Sequence, residues 1–446
     1  MNILDFGAVA DGKSICTKAI QAAIDACESN GGGTVVIPAG TFVSGTIWLK
    51  SHVELHLEMG AVLRGSPHLD DYCTVASYPQ NGMSIAEQWN GAHLIVALEQ
   101  DDVALTGPGT IDGNGKAFFE EEVPKTPLHC FSWFNGIRRA RDKERLRPGQ
   151  MIVFCECTNV RVDNLNLRDS TCWTVFLHGC TDVIVTRLNI RNPNVNVNTD
   201  GIDIDCCDGV TVSDCIIHTG DDAITLRGSS ARLKDKTRVC QNISITNCVL
   251  ECTVCGFRIG VGQGTIRHAA ISNITMRRVC DGFLFQSAYQ EPSTGTEISD
   301  IAISNIQMHC VAYPVRVVSG APSATSQIKN INIDGIYGRC HGSFKFKGSK
   351  LTQPRHITLR NVNMFVEASP VKLADPADYP SELFLFDHVD DVTLDNVRIN
   401  WEEDAEPTWK CCVSIKDANV DIRQNCKLPE PKKLPNWKTP CELFKI

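Results

Sequence analysis

A short block of alternating apolar and polar residues recurs along most of the chain. When the first apolar residue of each block is taken as an anchor, the residues two and five positions further on are apolar in every copy. The anchors follow one another at intervals of 23 to 35 residues, and they are Val160, Val183, Val210, Ile243, Ala269, Ile301, Ile331, Ile357 and Val392. The alternation is typical of a β-strand, and the change from a spacing of two to a spacing of three indicates a bend between two short strands.

The length of the interval indicates the kind of repeat. It holds three short strands with their turns, and no segment of helical periodicity separates the copies. A propeller blade needs four strands in about 40 residues, and a leucine-rich repeat has its own leucine and asparagine pattern. The sequence therefore predicts an all-β solenoid, a parallel β-helix whose turns stack about 4.8 Å apart, as a single domain over residues 1–446.

Asparagine stands four residues after the anchor in six of the copies, at Asn164, Asn247, Asn273, Asn305, Asn361 and Asn396. We interpret this column as structural. Asparagine tolerates the left-handed conformation of a sharp bend, and stacked amides can hydrogen-bond to one another.

Three segments depart from the repeat. Residues 17–28 are amphipathic and lead into three glycines, which predicts a helix that caps the open N-terminal end of the solenoid. Residues 116–147 are rich in aromatic and then basic residues, and we interpret them as a loop at the wall of a cleft. Residues 427–446 form a C-terminal tail rich in proline and lysine.

Composition and charge narrow the functional classes. The 446 residues contain 43 Lys and Arg against 52 Asp and Glu, a net charge of −9, which argues against a nucleic-acid partner. No apolar run reaches about 18 residues, so neither a transmembrane span nor a membrane partner is expected. The N-terminus has neither the basic nor the apolar region of a signal peptide, which predicts a cytoplasmic protein unless a leader was removed.

The 22 cysteines are interpreted mainly as reduced, buried thiols. They are too sparse for a disulfide scaffold in a chain of this length. The spacing Cys252-x-x-Cys255 is that of half a zinc site, but no second pair stands at a matching distance. The sequence therefore predicts neither a metal nor a cofactor.

A second strand in each turn can be aligned between successive turns. Because its second and fourth residues are apolar, its third residue must face outward, which gives a column of Asp203, Thr225, Arg258, Leu284, Arg316 and Lys345. The residue just before each of these strands gives another column, made of Asp200, Asp222, Cys255, Asp281, Tyr313 and Gly342.

Asp200 and Asp222 thus occupy equivalent positions on adjacent turns, with Asp221 beside Asp222. Carboxylates this close repel one another, so we expect at least one of them to have a raised pKa. A protonated acid beside an ionised base is what glycoside hydrolysis requires. Aspartates in β-solenoids also cap turns or bind calcium, and spacing alone leaves these interpretations open.

Two motifs carry these aspartates: Asn198-Thr199-Asp200-Gly201-Ile202-Asp203 and Thr219-Gly220-Asp221-Asp222-Ala223-Ile224. Other motifs of the same family pattern stand earlier in the chain, at 5–8, 31–35, 107–113 and 147–148. Together they resemble glycoside hydrolase family 28, the polygalacturonase family, from about Leu4 to Asn400. The resemblance implies a right-handed parallel β-helix and an inverting hydrolase. It also implies that Asp221 is the general acid, while Asp200 and Asp222 hold and activate water.

The sequence departs from the family pattern where polygalacturonases bind their substrate. The histidine of the family's Gly-His-Gly motif is replaced by Cys255, and Leu284-Phe285-Gln286 stands where the family has Arg-Ile-Lys. Either Arg258 or Arg316 could hold a substrate carboxylate or sulfate at a displaced position, and we expect Arg258 and Arg227 to be the contacts. A neutral sugar facing Leu284 is equally compatible. The predicted substrate-binding residues are Asn198, Asp203, Arg227, Cys255, Arg258, Leu284, Gln286 and Arg316.

These observations predict a hydrolase whose partner is a carbohydrate, namely a pectin-type or other acidic plant glycan other than plain polygalacturonate. A rhamnogalacturonan-type or other uronate-containing glycan is favoured. Two alternatives remain at this point, a glycan-binding β-helix without catalytic activity and a lyase or epimerase acting on uronates.

Overall fold

The computed structural model describes residues 1–123, 137–289, 295–310, 312–320, 327–368, 381–402, 411–429 and 444–445. They fall into two compact units. The first contains residues 1–123, 137–222 and 230–238, and the second contains 223–229 and the described residues from 239 onward. Among the described residues, no helix has the length and apolar character needed to cross a membrane.

The strands of the first unit are all short. They are β1 (Asp11–Ile15), β2 (Gly33–Ile37), β3 (Gly40–Ser44), β4 (Ile47–Trp48), β5 (Val53–Leu57), β6 (Ala61–Gly65), β7 (Ile95–Leu98), β8 (Asp101–Thr106), β9 (Thr110–Asp112), β10 (Ile152–Cys155), β11 (Thr158–Asp163), β12 (Asn166–Arg168), β13 (Val175–His178), β14 (Thr181–Thr186), β15 (Asn189–Arg191), β16 (Ile202–Asp205), β17 (Asp208–Ser213) and β18 (Ile216–Thr219). Short 3₁₀ helices lie at Ile3–Phe6, Leu69–Asp71, Val75–Ser77, Gly115–Ala117 and Ser230–Arg232.

These strands form three stacks in which every pairing is parallel. One stack runs β4–β7–β10–β13–β16, the second β2–β5–β8–β11–β14–β17, and the third β1–β3–β6–β9–β12–β15–β18. Side chains of the anchor columns point between the stacks, so Val160, Val183 and Val210 are all buried. The first unit is a parallel β-helix, which confirms the predicted fold class.

The predicted N-terminal helix is present as α1 (Thr17–Ser29), one residue longer than expected. Its buried face consists of Ile20, Ala23, Ile24 and Cys27. Gln21 on α1 donates to the Trp48 carbonyl at 3.0 Å and accepts from the Trp48 amide at 2.8 Å. Because Trp48 belongs to the terminal strand of its stack, the helix satisfies backbone groups that would otherwise form an open sheet edge.

The second unit contains the remaining strands in two stacks. They are β19 (Ile224–Gly228), β20 (Cys240–Cys252), β21 (Cys255–Gly262), β22 (Thr265–Val279), β23 (Asp281–Gln286), β24 (Glu297–Cys310), β25 (Val315–Val318), β26 (Ile328–Cys340), β27 (Phe344–Lys347), β28 (Arg355–Val366), β29 (Glu382–Asp387), β30 (Asp390–Trp401), β31 (Cys411–Lys416), β32 (Val420–Ile422) and β33 (Phe444–Lys445). The even-numbered strands pair in parallel from β20 to β32, and the odd-numbered ones from β19 to β33.

The bends carry the asparagine column as predicted. All six asparagines have φ between 51° and 62°, in the left-handed region. Their amides also stack, since Asn305 donates to Asn273 and Asn396 donates to Asn361, each at 2.7 Å. The column is therefore structural.

The twenty described cysteines are thiols, and eighteen of them are buried. Three of them stack at one corner of the first unit, where each thiol donates to a carbonyl of the preceding turn. The bonds are Cys157 to Ala97 at 3.4 Å, Cys180 to Phe154 at 3.3 Å and Cys207 to Leu177 at 3.4 Å. Burial raises the pKa of such thiols, to about 12 for Cys172.

The two irregular segments are only partly described. Within 116–147, residues 124–136 lie outside the described residues, and of the rest Phe119 and Arg147 are buried. Within 427–446, the backbone of Lys427 forms an isolated parallel β-bridge with that of Arg398, and β33 pairs with β31. Both described parts of the tail therefore lie along strands of the second unit.

Candidate active site

Asp200 lies in the turn that leads into β16. Its carbonyl accepts two hydrogen bonds from Thr174, from the amide at 2.9 Å and from the hydroxyl at 2.8 Å. The next residue, Gly201, donates its amide to the Asp222 carbonyl at 3.0 Å. The backbone at Asp200 is therefore fixed to the turn before it and to the turn after it.

Asp221 and Asp222 follow β18 in a turn closed by Thr219, whose hydroxyl donates to the Asp221 carbonyl at 2.9 Å. The turn approaches the preceding one closely at Gly220. A Cβ at this position would lie 2.3 Å from the Asn196 carbonyl oxygen and 2.8 Å from the Thr199 hydroxyl. Only glycine allows this approach, which brings Asp221 next to Asn198.

Both carboxylate oxygens of Asp221 accept backbone amides. Asn198 donates to Oδ2 at 3.1 Å and Asp222 donates to Oδ1 at 3.0 Å. These two donors orient the carboxylate and favour its ionised form, whereas the neighbouring carboxylates favour its protonated form. The expected raised pKa within the cluster stays a prediction.

The three predicted catalytic side chains come together. One carboxylate oxygen each from Asp200, Asp221 and Asp222 lies within 4.8 Å of the others. Asp200 and Asp222 are buried and Asp221 is half-buried. One water can bridge two oxygens up to about 5.5 Å apart, because each O–H···O contact spans about 2.7 Å. The cluster can therefore hold a water between two carboxylates, and the same oxygens could coordinate a divalent cation.

Arg147 supports this cluster from a fully buried position. Its guanidinium donates to the Asn198 side-chain oxygen at 3.0 Å, to the Glu87 carbonyl at 2.8 Å and to the Thr171 carbonyl. It also stacks 5.1 Å from the centre of the Phe119 ring. Since the Asn198 amide contacts Asp221, Arg147 is a positioning residue for the site. The Arg147-Pro148 motif was noted in the sequence, but nothing there linked it to Asn198.

Asp203 lies on the outward face of β16, where it is buried. Along this face the register runs from Asp203 to Phe176, Val153 and Val96 on successive strands. Phe176 is half-buried, but Val153 and Val96 are fully covered. Only one turn beyond Asp203 is therefore open in this direction within the first unit.

Part of the cover on Val153 comes from a segment outside the repeat. Leu233, from the 230–238 segment, packs on Val153, Cys155 and Cys206. Gly179 makes room for it, since a Cβ there would lie 2.8 Å from a Leu233 methyl, and its φ is +68°. Nearby, Trp89, Cys172 and Trp173 form a second cluster that contacts Phe176. No sequence pattern indicated that Leu233 would be buried, because it lies in a polar insertion.

The predicted outward column of the second unit is in register. Thr225, Arg258, Leu284, Arg316 and Lys345 face one another on successive strands. Arg258 is 9% exposed, donates to the Gln286 side-chain oxygen at 3.3 Å and stacks 4.8 Å from the centre of the Tyr289 ring.

Arg316 is held differently. It donates to the carboxylate of Asp281 at 3.1 Å and stacks on the Tyr313 ring. Leu284, between the two arginines, is buried at 3% exposure, and Arg227 is half-exposed on β19. Cys255 is buried opposite Asp281 at the start of β21. Among the described residues, Cys252 and Cys255 belong to neither cluster of three potential metal ligands.

The fold and the aspartate cluster define a parallel β-helix protein with three clustered carboxylates. A family model described as glycosyl hydrolases family 28 matches residues 27–376, and the chain belongs to this family.

Similar proteins agree with this assignment. A probable polygalacturonase from Vitis vinifera is 29% identical over 231 residues, 51% of this chain and 44% of that protein. A second, from Arabidopsis thaliana, is 25% identical over 340 residues, 68% of this chain and 66% of that protein. The matches thus span about half to two thirds of these relatives. An exopolygalacturonase structure from Thermotoga maritima has the same fold, with a TM-score of 0.63, 19% identity and coverage of 96% of this chain and 91% of that one.

Proposed function

We propose that this chain is a glycoside hydrolase that cleaves a pectin-type, uronate-containing glycan with inversion at the anomeric carbon. The observation that carries the proposal is the approach of Asp200, Asp221 and Asp222 to within 4.8 Å in a family 28 chain. The names of the Vitis and Arabidopsis relatives, both probable polygalacturonases, support a pectic substrate.

In the proposed reaction, protonated Asp221 gives its proton to the glycosidic oxygen as the bond from that oxygen to the anomeric carbon breaks. Its half-buried position leaves it accessible to a bound glycan, unlike its two buried neighbours. A water held by Asp200 and Asp222 attacks the anomeric carbon from the opposite face and loses its proton to one of them. The net change is addition of one water, and the new hemiacetal has inverted configuration.

The substrate we propose is a uronate-containing glycan other than plain polygalacturonate, of the rhamnogalacturonan type. Its support is the replacement of the family's recognition residues by Cys255 and by Leu284-Phe285-Gln286. Arg258 is the favoured contact for the substrate carboxylate, because it lies in register with Leu284, where the family has an arginine. Arg316 is less suited, since a carboxylate of the protein already pairs with it.

We further propose that cleavage proceeds from a chain end. Its support is the covered outward face of the first unit, where Leu233 lies on Val153 one turn beyond Phe176. A glycan that runs across the strands advances by about 4.8 Å per turn, which leaves room for little more than one sugar on that side.

The test is reducing-end release from a panel of pectic oligosaccharides and polysaccharides, with Asp221→Asn measured beside the wild type. Release from a rhamnose-containing fragment but not from polygalacturonate, lost in the variant, would support both the machinery and the substrate. Short products from the first minutes onward would support attack at chain ends. Release from polygalacturonate would overturn the proposed substrate, and mixed long fragments would overturn the chain-end proposal.

A glycan-binding protein without activity is the second candidate, favoured by the loss of the family's histidine, arginine and lysine. It predicts no release from any substrate by the wild type, together with glycan binding that Asp221→Asn does not change. An unsaturated product with ultraviolet absorbance would instead identify a lyase.

A further inference from the structure

Two histidines and a glutamate meet at one corner of the second unit. His309 is the penultimate residue of β24, His341 directly follows β26, and Glu367 directly follows β28. The Nε2 atoms of the two histidines lie 3.3 Å apart, and a Glu367 oxygen lies within 4.8 Å of both ligand nitrogens. From this geometry we propose that His309, His341 and Glu367 form a Zn²⁺ site.

The spacing of the two nitrogens matches coordination to one ion. With Zn–N bonds of about 2.0–2.1 Å in tetrahedral geometry, two ligand nitrogens lie about 3.3 Å apart. This separation is at the long end for a direct hydrogen bond between the rings. Two imidazoles and one carboxylate are also a ligand set typical of zinc, with the fourth position left for water.

The surroundings hold the ligands in place. One Glu367 oxygen pairs with Arg339. Such outer contacts fix the orientation of metal ligands. The backbone also sets the stacking, since the Glu367 amide donates to the Cys340 carbonyl at 2.9 Å. A bound ion would link three successive turns of the second unit.

The test uses the full chain, dialysed against chelator and then titrated with Zn²⁺ by calorimetry and with Co²⁺ by visible absorbance. We expect one tight ion per chain, with the visible bands of tetrahedral cobalt and a higher thermal midpoint in Zn²⁺. His309→Asn and His341→Gln should each weaken binding by at least roughly tenfold, and Glu367→Gln should weaken it roughly 10- to 100-fold.

His268→Asn is the matched control, because His268 is exposed on neighbouring β22 and belongs to neither potential ligand cluster. It should bind zinc as the wild type does. Circular dichroism checks each variant for folding, and half-buried His309 keeps the test valid if His341→Gln does not fold. Absence of binding, binding that survives both histidine variants, or a thiolate charge-transfer band with Co²⁺ would each overturn the proposal.

Discussion

The aspartate cluster of the first unit and the arginine column of the second hold their charged groups in different ways. Around Asp200, Asp221 and Asp222 the contacts are mostly backbone hydrogen bonds between successive turns. Arg258 and Arg316 are held by side chains, an amide in one case and a carboxylate in the other. A site fixed by the backbone depends on the fold itself, whereas a column held by side chains can change residue by residue. This explains how the aspartates can follow the family pattern while the residues expected to recognise substrate depart from it.

The largest effect should come from removing the acid of the first unit. Asp221→Asn keeps the shape of the side chain but cannot donate a carboxylic proton. We expect kcat to fall roughly 10²- to 10⁴-fold with little change in KM, because the loss concerns proton transfer rather than binding. The measurement is steady-state kinetics on the substrate identified by the panel. An Asp221→Asn variant that raised KM but kept kcat would contradict the assignment of catalysis to the aspartate cluster and of substrate binding to the arginine column.

The next effect concerns Leu233, which covers Val153 on the outward face of the first unit. Leu233→Ala leaves a cavity above Val153 and Cys155 and should lower the free energy of unfolding by about 2–5 kcal/mol. Leu351→Ala is the control, because Leu351 is 70% exposed and its loss should cost less than about 0.5 kcal/mol. Denaturant unfolding measures both variants. Equal stability of the two variants would mean that the packing of Leu233 on Val153 and Cys155 does not stabilise the first unit.

The next effect is a loss of stability of the first unit in acid. His93 is buried in the first unit, bonded to the Gln150 carbonyl at 2.8 Å, and burial lowers its pKa to about 4. The unfolded chain therefore takes up the proton first, so stability falls as the pH drops from about 6.5 to 4. The expected loss is about 3 kcal/mol. His93→Gln should flatten the pH dependence of the thermal midpoint over this window. An unchanged slope would contradict the assignment of a neutral buried histidine.

The smallest expected effect, and the sharpest test of the comparison, lies in the second unit. Arg258→Ala should raise KM by roughly 10- to 100-fold with kcat nearly unchanged, since a hydrogen bond to a charged group contributes about 1.5–3 kcal/mol.

Arg316→Ala provides the contrast, because it leaves the buried Asp281 carboxylate without this cation. Its main effect should be on stability rather than on KM. If Arg258→Ala leaves KM unchanged while Arg316→Ala raises it, the assignment of the substrate contact is reversed.

The sequence allowed the repeat and the outward column to be predicted because both depend on alternation and on spacing within one turn. The register of Arg258, Leu284 and Arg316 and the left-handed asparagines follow directly from that spacing. Arg147 and Leu233 were missed as structural partners because each reaches its neighbours from a segment outside the repeat. No periodicity connects such segments to the turns they cover.

The histidine cluster was missed for another reason. His341 and Glu367 stand directly after aligned strands, one turn apart, so extending the alignment past the strand ends would have found this pair. His309 lies two positions earlier on its own strand, and its approach to His341 depends on side-chain direction at the corner. Spacing alone does not determine that direction.

The stacked thiols have a consequence for handling the protein. In the folded chain, burial keeps such thiols protonated and out of contact with oxidants, as with Cys180 of the stack. Unfolding exposes at once the eighteen buried thiols among the described cysteines, and their pKa returns to about 8.5, where the thiolate fraction at neutral pH is sufficient for oxidation. In air, mispaired disulfides cross-link the unfolded chain, which then cannot refold. The lifetime of the folded protein is therefore set by its rate of unfolding. A reductant turns the same unfolding into a reversible transition.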